Sequence, residues 1–298
     1  MPPSDDLRAV LDETISGAVG APFRSTRLSG QAGGSISQSM VVEDGRQRFF
    51  VKLNDASLDG MFVAEADGLA ALARCPAIRV PKVIARGTSG DKSFLVLEHL
   101  ALRPLQERDS GFVAGRALAE LHHIEDAQYG WHCDNYIGSN PQRNAVHVTW
   151  SFFFSQRRLL PQLEMARQRR DCARLIERGE KLADRLAALF VDYRPRASLL
   201  HGDLWHGNAA IDDNGRLALF DPAVYFGDRE ADLAMSELFG GFPESFYLAY
   251  REAWPLAHGQ AQRKTLYNLY HVLNHLNLFG GGYLRQAERM IDSLLAEL

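Results

Sequence analysis

Residues 201–221 read HGDLWHGNAAIDDNGRLALFD. The dipeptide Asn214-Gly215, set between two short apolar runs, is the strongest short-range signal for a β-hairpin. A two-residue turn there sets Asn208 directly opposite Asp221, with Cα atoms about 4.5–5.5 Å apart. An amide oxygen and a carboxylate at that separation can converge on one small hard cation. Asp203 stands just upstream of Asn208, across a short loop. Phosphoryl transfer from ATP needs this set: one Asp to accept the proton of the attacking hydroxyl, and an Asn and an Asp to hold Mg²⁺ against the phosphates. Taken singly, Asp221-Pro222 reads as a strand-ending turn and His201 as a buried imidazole bonded to backbone. Their combination with Asp203 and Asn208 is what points to catalysis.

Upstream, Lys52 lies in RFFVKL, an apolar strand that excludes an ammonium unless it is paired. Glu65, in the helical pattern MFVAEADGLAALA, is its natural partner, and a strand Lys with a helix Glu is the second recurring pair of kinase-like sites. Gly33, Gly34 and Ser35, shortly before Lys52, let backbone N–H groups approach phosphates. Around them, RLSGQAGGSISQSMVVEDGRQRFFVKLN reads as two strands joined at Asp44-Gly45 by a type I′ turn, after a helix over residues 5–16. VPKVIARG and SFLVLEHL read as further strands. Leu97 to Leu100 is the crossing segment, whose Glu98, His99 and Leu100 backbone is placed to bond adenine. Beyond it the pattern is mainly helical, interrupted by the Asn214-Gly215 hairpin alone. The expectation is a bilobal α+β enzyme, with a strand-rich ATP-binding lobe over residues 1–99 and a helical catalytic and substrate lobe over 100–298.

The chain has 298 residues, 46% of them hydrophobic and 23% charged. That composition excludes disordered, collagenous and coiled-coil chains. Thirty-three basic and 37 acidic side chains give a formal charge of −4, with no basic block, so nucleic acid is not an expected partner. Cys75, Cys133 and Cys172 are odd in number and form no CxxC pair, which argues against a disulfide framework or a thiolate zinc site and suits a reducing cytoplasm. The N-terminus lacks the basic and apolar regions of a secretory signal. Thr265 to Leu284 carries too many polar groups to span a membrane. His271 and His275 share a helix face, but no Glu follows the first His as an HExxH zinc site requires. Three rival readings remain open: a metallohydrolase using His201, Asp203, His206 and Asp221, a non-catalytic nucleotide-binding protein, and a docking role for the basic face of RRLLPQLEMARQRRD.

HGDLWHGN followed by LALFDPAVYFGDREADLAMSELFGGF closely resembles the fructosamine kinase (ketosamine kinase) family, which shares the bilobal fold of protein kinases and aminoglycoside phosphotransferases. The likeness covers almost the whole chain, through GGSISQS, FFVKLN, EADGLAAL, GRALAELHHIEDAQYGWHCDNYIGSNPQRN and WSFFFSQRRL. It implies Asp203 as catalytic base, Asn208 and Asp221 as Mg²⁺ ligands, Lys52 and Glu65 on ATP, and Trp205 in the ketosamine pocket. The implied reaction is ATP-dependent phosphorylation of the third hydroxyl of a sugar joined to an amine by Amadori rearrangement, on lysine or protein. The phosphorylated adduct then decomposes and frees the amine, a deglycation repair. Two departures stand out: Ser35 where some relatives carry a Cys, which bears on thiol-based redox control of that loop, and His206 at a spacer position often small in relatives. An aminoglycoside, choline or other amino-alcohol phosphotransferase on the same fold is the alternative. Sugar length, free against protein-bound lysine, and oligomeric state stay open at this level.

Overall fold

Ser4 caps the first helix: its hydroxyl accepts the Leu7 N–H at 3.3 Å. Asp5 and Asp6 occupy the first turn, where the helix dipole favours negative charge. This helix, α1 (Asp5–Val19), ends at Gly20, whose left-handed backbone returns an N–H to Ser16 O. The computed structural model describes residues 4–31 and 38–298, so the expected phosphate loop at Gly33, Gly34 and Ser35 lies outside the described residues.

Leu7, Leu11 and Ile15 recur at helical spacing and bury one face of α1. That face lies on an antiparallel sheet of β1 (Arg27–Gln31), β2 (Gln38–Glu43), β3 (Arg48–Asp55), β4 (Val83–Ser89) and β5 (Lys92–Glu98), in the order β1-β2-β3-β5-β4. Alternation divides the sheet's side chains between two cores. Phe94 and Val96 of β5 join Leu7 and Leu11, while Leu95 and Leu97 join Phe62, Leu69 and Leu72 of α2 (Asp59–Leu72). Two expectations are corrected here. The segment read as two strands contains three, and the β2–β3 turn centres on Gly45-Arg46, since Asp44 pairs with Gln47. Gly45 alone has positive φ, as a type II′ turn requires, whereas type I′ requires two such residues.

After residues 99–101 the chain enters a mainly helical region with three small sheets. Its elements are β6 (Leu102–Pro104), α3 (Arg108–His122), β7 (Glu125–Asp126), β8 (Asn135–Ile137), β9 (Asn140–Gln142), α4 (Trp150–Phe154), α5 (Leu160–Ala166) and α6 (Ala173–Arg185). There follow β10 (Ala197–Leu200), β11 (Ala209–Asp212), β12 (Leu217–Leu219), β13 (Tyr225–Gly227), α7 (Glu230–Leu238), α8 (Glu244–Ala253), α9 (Gln260–Phe279) and α10 (Tyr283–Ala296). The strands pair as β13-β10-β7, β12-β11-β6 and β8-β9, where one strand pair was expected. Strands of two to four residues are too short for a period of two to register in sequence. A wider turn at Ser155–Leu159 separates α4 from α5.

Helices α3 and α8 cross in close contact because α3 presents glycine. A Cβ on Gly115 would lie 2.2 Å from the Phe246 carbonyl oxygen, so no larger residue fits without moving the backbone.

Candidate active site

The hairpin expected at Asn214-Gly215 forms, but not in the expected register. Ala209 pairs with Leu219 and Ile211 with Leu217, leaving a three-residue turn over 213–215 closed by Asp212 N–H on Arg216 O at 3.0 Å. Gly215 takes φ 78°, and the Asp212 carboxylate accepts the Asn214 and Arg216 N–H groups at 2.9 Å. A type I turn followed by a left-handed glycine wins over the two-residue turn because Asp212 can satisfy the loop's donors. Asn208 therefore opposes Phe220, whose N–H it accepts at 3.2 Å. A shift of one residue turns Asp221 to the other face. The backbone reverses this: Asp221 adopts φ 57°, the only non-glycine residue with positive φ among the described residues. Aspartate tolerates that conformation better than most residues. Its carboxylate thereby returns to the site.

There it meets Lys52. The Lys52 Nζ lies 2.5 Å from Asp221 Oδ1 and 2.6 Å from Glu65 Oε1. Burial works against the ammonium, but the two carboxylates outweigh it and hold the pKa of Lys52 above its ordinary value. Burial pushes Glu65 upward despite the attraction of Lys52, and the Asp221 charge adds to the rise. Helix α2 delivers Glu65 by packing directly on the loop after Asp221. A Cβ on Gly68 would stand 2.9 Å from Pro222 Cγ.

Asp203 sits beside this triad on a loop held by backbone bonds. Asn208 Nδ2 donates to Asp203 Oδ2 at 3.1 Å and to its carbonyl at 2.9 Å. Burial and the negative charge of Asp221 push the Asp203 pKa up to about 7, with the Asn208 hydrogen bond pulling the other way. The loop's anchor escaped the sequence reading. Asp232 on α7 accepts the N–H groups of His201 (2.7 Å) and Gly202 (2.9 Å), and contacts His122 Nε2 at 3.2 Å. A carboxylate inside the apolar run of α7 is the signal that could have found it, because a buried charge demands such partners. His201 is buried, its Nδ1 accepting the Asp203 N–H and its Nε2 bonding the Phe220 carbonyl. Both ring nitrogens are occupied and His206 is exposed, so the metallohydrolase set does not assemble.

Lys52, Glu65, Asp203, Trp205, Asn208 and Asp221 all line one cavity of about 580 Å³. Its opposite wall is aromatic. Trp205 meets Phe239 edge to face, with centroids 6.2 Å apart, and His275, Phe279 and Tyr283 continue the wall from α9 and α10. These residues sit far downstream of the motif, and nothing in their local pattern marks them. Glu98, His99 and Leu100 are not on this lining: Glu98 pairs with Arg79, and its Oε2 accepts the Lys82 N–H at 3.2 Å. Residues 99–101 do connect the five-stranded sheet to β6, which pairs with β11 of the β11–β12 hairpin.

The donor set fits a hard divalent cation. The Asn208 amide nitrogen is committed to Asp203, which turns its oxygen away from that residue, and Asp221 has a second carboxylate oxygen beyond the one bonded to Lys52. The arrangement can hold Mg²⁺, bind phosphates at Lys52 and accept a proton at Asp203.

A family model described as fructosamine kinase matches residues 8–297. A probable ketoamine kinase of Synechocystis sp. is 46% identical to this chain over 284 residues, 95% of each protein. A crystal structure from Haemophilus somnus 129PT, provisionally named as a fructosamine-3-kinase, superposes with a TM-score of 0.87 at 32% identity, covering 96% of each chain. A Streptococcus pneumoniae choline kinase superposes with a TM-score of 0.64 at 16% identity, over 98% of this chain and 99% of that one, a likeness of fold alone.

Proposed function

The chain belongs to the fructosamine kinase family and is an ATP-dependent phosphotransferase of protein-kinase-like fold, and from that premise we propose that it phosphorylates the third hydroxyl of a ketosamine. The observation that carries this reading is the meeting of Lys52, Glu65, Asp203, Asn208, Asp221 and Trp205 on one cavity. Asp203 is the base: it takes the proton of the acceptor hydroxyl, and a pKa near 7 suits a group that must accept and release a proton at neutral pH. Lys52, held by Glu65, binds the nucleotide phosphates, helped by backbone N–H groups at Gly33, Gly34 and Ser35. The backbone from Glu98 to Leu100 receives adenine between a nucleotide lobe (1–99) and a catalytic lobe (100–298). Asn208 and Asp221 hold Mg²⁺, which when bound offsets the phosphate charge.

A ketosamine presents a cationic amine beside hydroxyls, and the cavity is suited to both. Among the described residues its carboxylates are Glu65 and Asp221, both bonded to Lys52, and Asp203, assigned here to the acceptor hydroxyl. The amine is therefore met by aromatic faces, with Trp205, Phe239 and Tyr283 available for cation–π contact. The acceptor is fructosyl-, ribulosyl- or erythrulosyl-lysine, free or in protein, and the role is cytoplasmic deglycation. No described helix is long and apolar enough to cross a membrane.

ATP consumption measured across those three lysine adducts, with kanamycin and choline as controls, tests the proposal. A ketosamine should give the highest kcat/KM, and Trp205→Ala should raise the KM for that substrate at least about tenfold while leaving the KM for ATP within about twofold. Higher kcat/KM on kanamycin or choline than on every ketosamine overturns it.

A further inference from the structure

We propose a second cation site, outside the cavity, in which Asp67, His132 and Cys133 bind a borderline divalent ion of the Zn²⁺ class. Asp67 lies on α2, while His132 and Cys133 lie in the turn between β7 and β8. His132 Nε2 is 3.3 Å from Asp67 Oδ1, and Cys133 Sγ is 4.0 Å from Asp67 Oδ2. One ligand atom from each residue lies within 4.8 Å of the others. Tetrahedral zinc with bonds of about 2.0–2.3 Å spaces its ligands roughly 3.3–3.8 Å apart. A contraction of about 1 Å closes the difference, within reach of rotamer changes in two exposed side chains.

The surroundings are organised for such a site. The buried Trp131 donates its indole N–H to Asp67 Oδ2 at 2.6 Å, the kind of outer hydrogen bond that fixes a ligating carboxylate. It leaves Oδ1 turned to His132. Asn144 Nδ2 holds the Cys133 carbonyl at 3.0 Å, and Asp134 accepts the Asn144 N–H at 2.8 Å and pairs with Arg143 at 2.9 Å. The turn's backbone is thus pinned while the His132 and Cys133 side chains reach solvent, from which an ion can enter.

The donors are one oxygen, one imidazole nitrogen and one sulfur, a set that favours zinc-like ions over Mg²⁺ or Ca²⁺. Water fills the fourth position. A carboxylate and a thiolate neutralise a dication. Binding breaks the Cys133 S–H bond, forms a sulfur–metal bond and releases one proton to solvent. The ion would also fasten α2, which carries Glu65, to the turn.

The test titrates the metal-free full chain with Zn²⁺ and Co²⁺ in the absence of nucleotide and ketosamine. Expected are one ion and one released proton per chain, a higher Tm, a Co²⁺–thiolate charge-transfer band, and slower amide exchange over residues 59–72. Cys75 and Cys172 are buried, so the band reports Cys133. Cys133→Ser and His132→Asn should each weaken Zn²⁺ binding at least about tenfold, the effect typical of losing a ligand or its support. Asp221→Ala should leave the Zn²⁺ affinity and the Co²⁺ band intact, which keeps this result separate from the kinase assignment. Equal Zn²⁺ affinity in the wild type and Cys133→Ser, absence of the band, or its loss in Asp221→Ala overturns the proposal.

Discussion

Burial and the charge of Asp221 raise the proton affinity of Asp203, and the Asn208 N–H offsets only part of that rise. The folded chain is therefore less comfortable with an ionised Asp203 than the unfolded chain is. Asp203→Asn keeps the shape, removes the charge and removes the proposed proton acceptor. We expect kcat to fall by about 10²-fold or more, while Tm at pH 8 rises by about 2 °C or more. Wild-type turnover, or a lower Tm, would contradict the role or the strain respectively. Asp221 and Asn208 differ in charge, which separates their variants. Asp221→Ala should weaken Mg·ATP binding at least about tenfold by calorimetry, and excess Mg²⁺ should restore Asn208→Ala better than Asp221→Ala, since a lost carboxylate costs the site more attraction than a lost amide. Both residues were legible in the sequence through their spacing. How Asp221 reaches the site was not, because the turn's donors chose the register and one left-handed backbone angle undid its consequence.

At the scale of elements, α2 works as a lever between Lys52 and the Asp221-Pro222 loop. Its fit depends on Gly68, where an added methyl group meets Pro222 at 2.9 Å. Gly68→Ala should push α2 outward and loosen the Lys52–Glu65 pair, raising the KM for ATP about threefold or more with a cost of roughly 1–3 kcal/mol in stability. An unchanged KM and Tm would show that the helix accommodates the methyl group locally. The helical period of α2 and the strand around Lys52 were readable from pattern alone, since both are long enough to repeat. The short strands β7, β10 and β13 were not, since their pairing joins distant segments, Ser198 with Glu125 and Ser198 with Gly227.

Across the whole molecule, buried histidines couple stability to pH. His122, His201 and His271 are all buried, and burial lowers the pKa of each, that of His271 to about 3. The unfolded chain takes up protons at these rings near pH 6.5, whereas the folded chain does not, so their contribution to stability is lost as pH falls below that value. Glu65, Asp203 and Asp228, with raised pKa values, act in the opposite sense over part of the same range. A difference measurement isolates one ring. His271 Nδ1 has no hydrogen-bond partner among the described residues, so His271→Leu removes a proton acceptor and leaves little unsatisfied. Between pH 6 and 4.5 the variant should gain on the wild type by up to about 1.4 kcal/mol per pH unit in urea unfolding; parallel curves would show that His271 titrates normally. The sequence by itself determined the family, the mixed α+β class and the polar residues that meet around Lys52 and Asp203, because Lys52 with Glu65, and Asp203 with Asn208 and Asp221, form two groups each within about twenty positions, and spacing records local geometry. Only the tertiary structure decided which aromatic side chains face Asp203, which carboxylate anchors its loop, and that Asp67 meets His132 and Cys133. Those contacts join segments far apart in the chain, and long-range packing leaves no period or spacing in sequence from which it could be read.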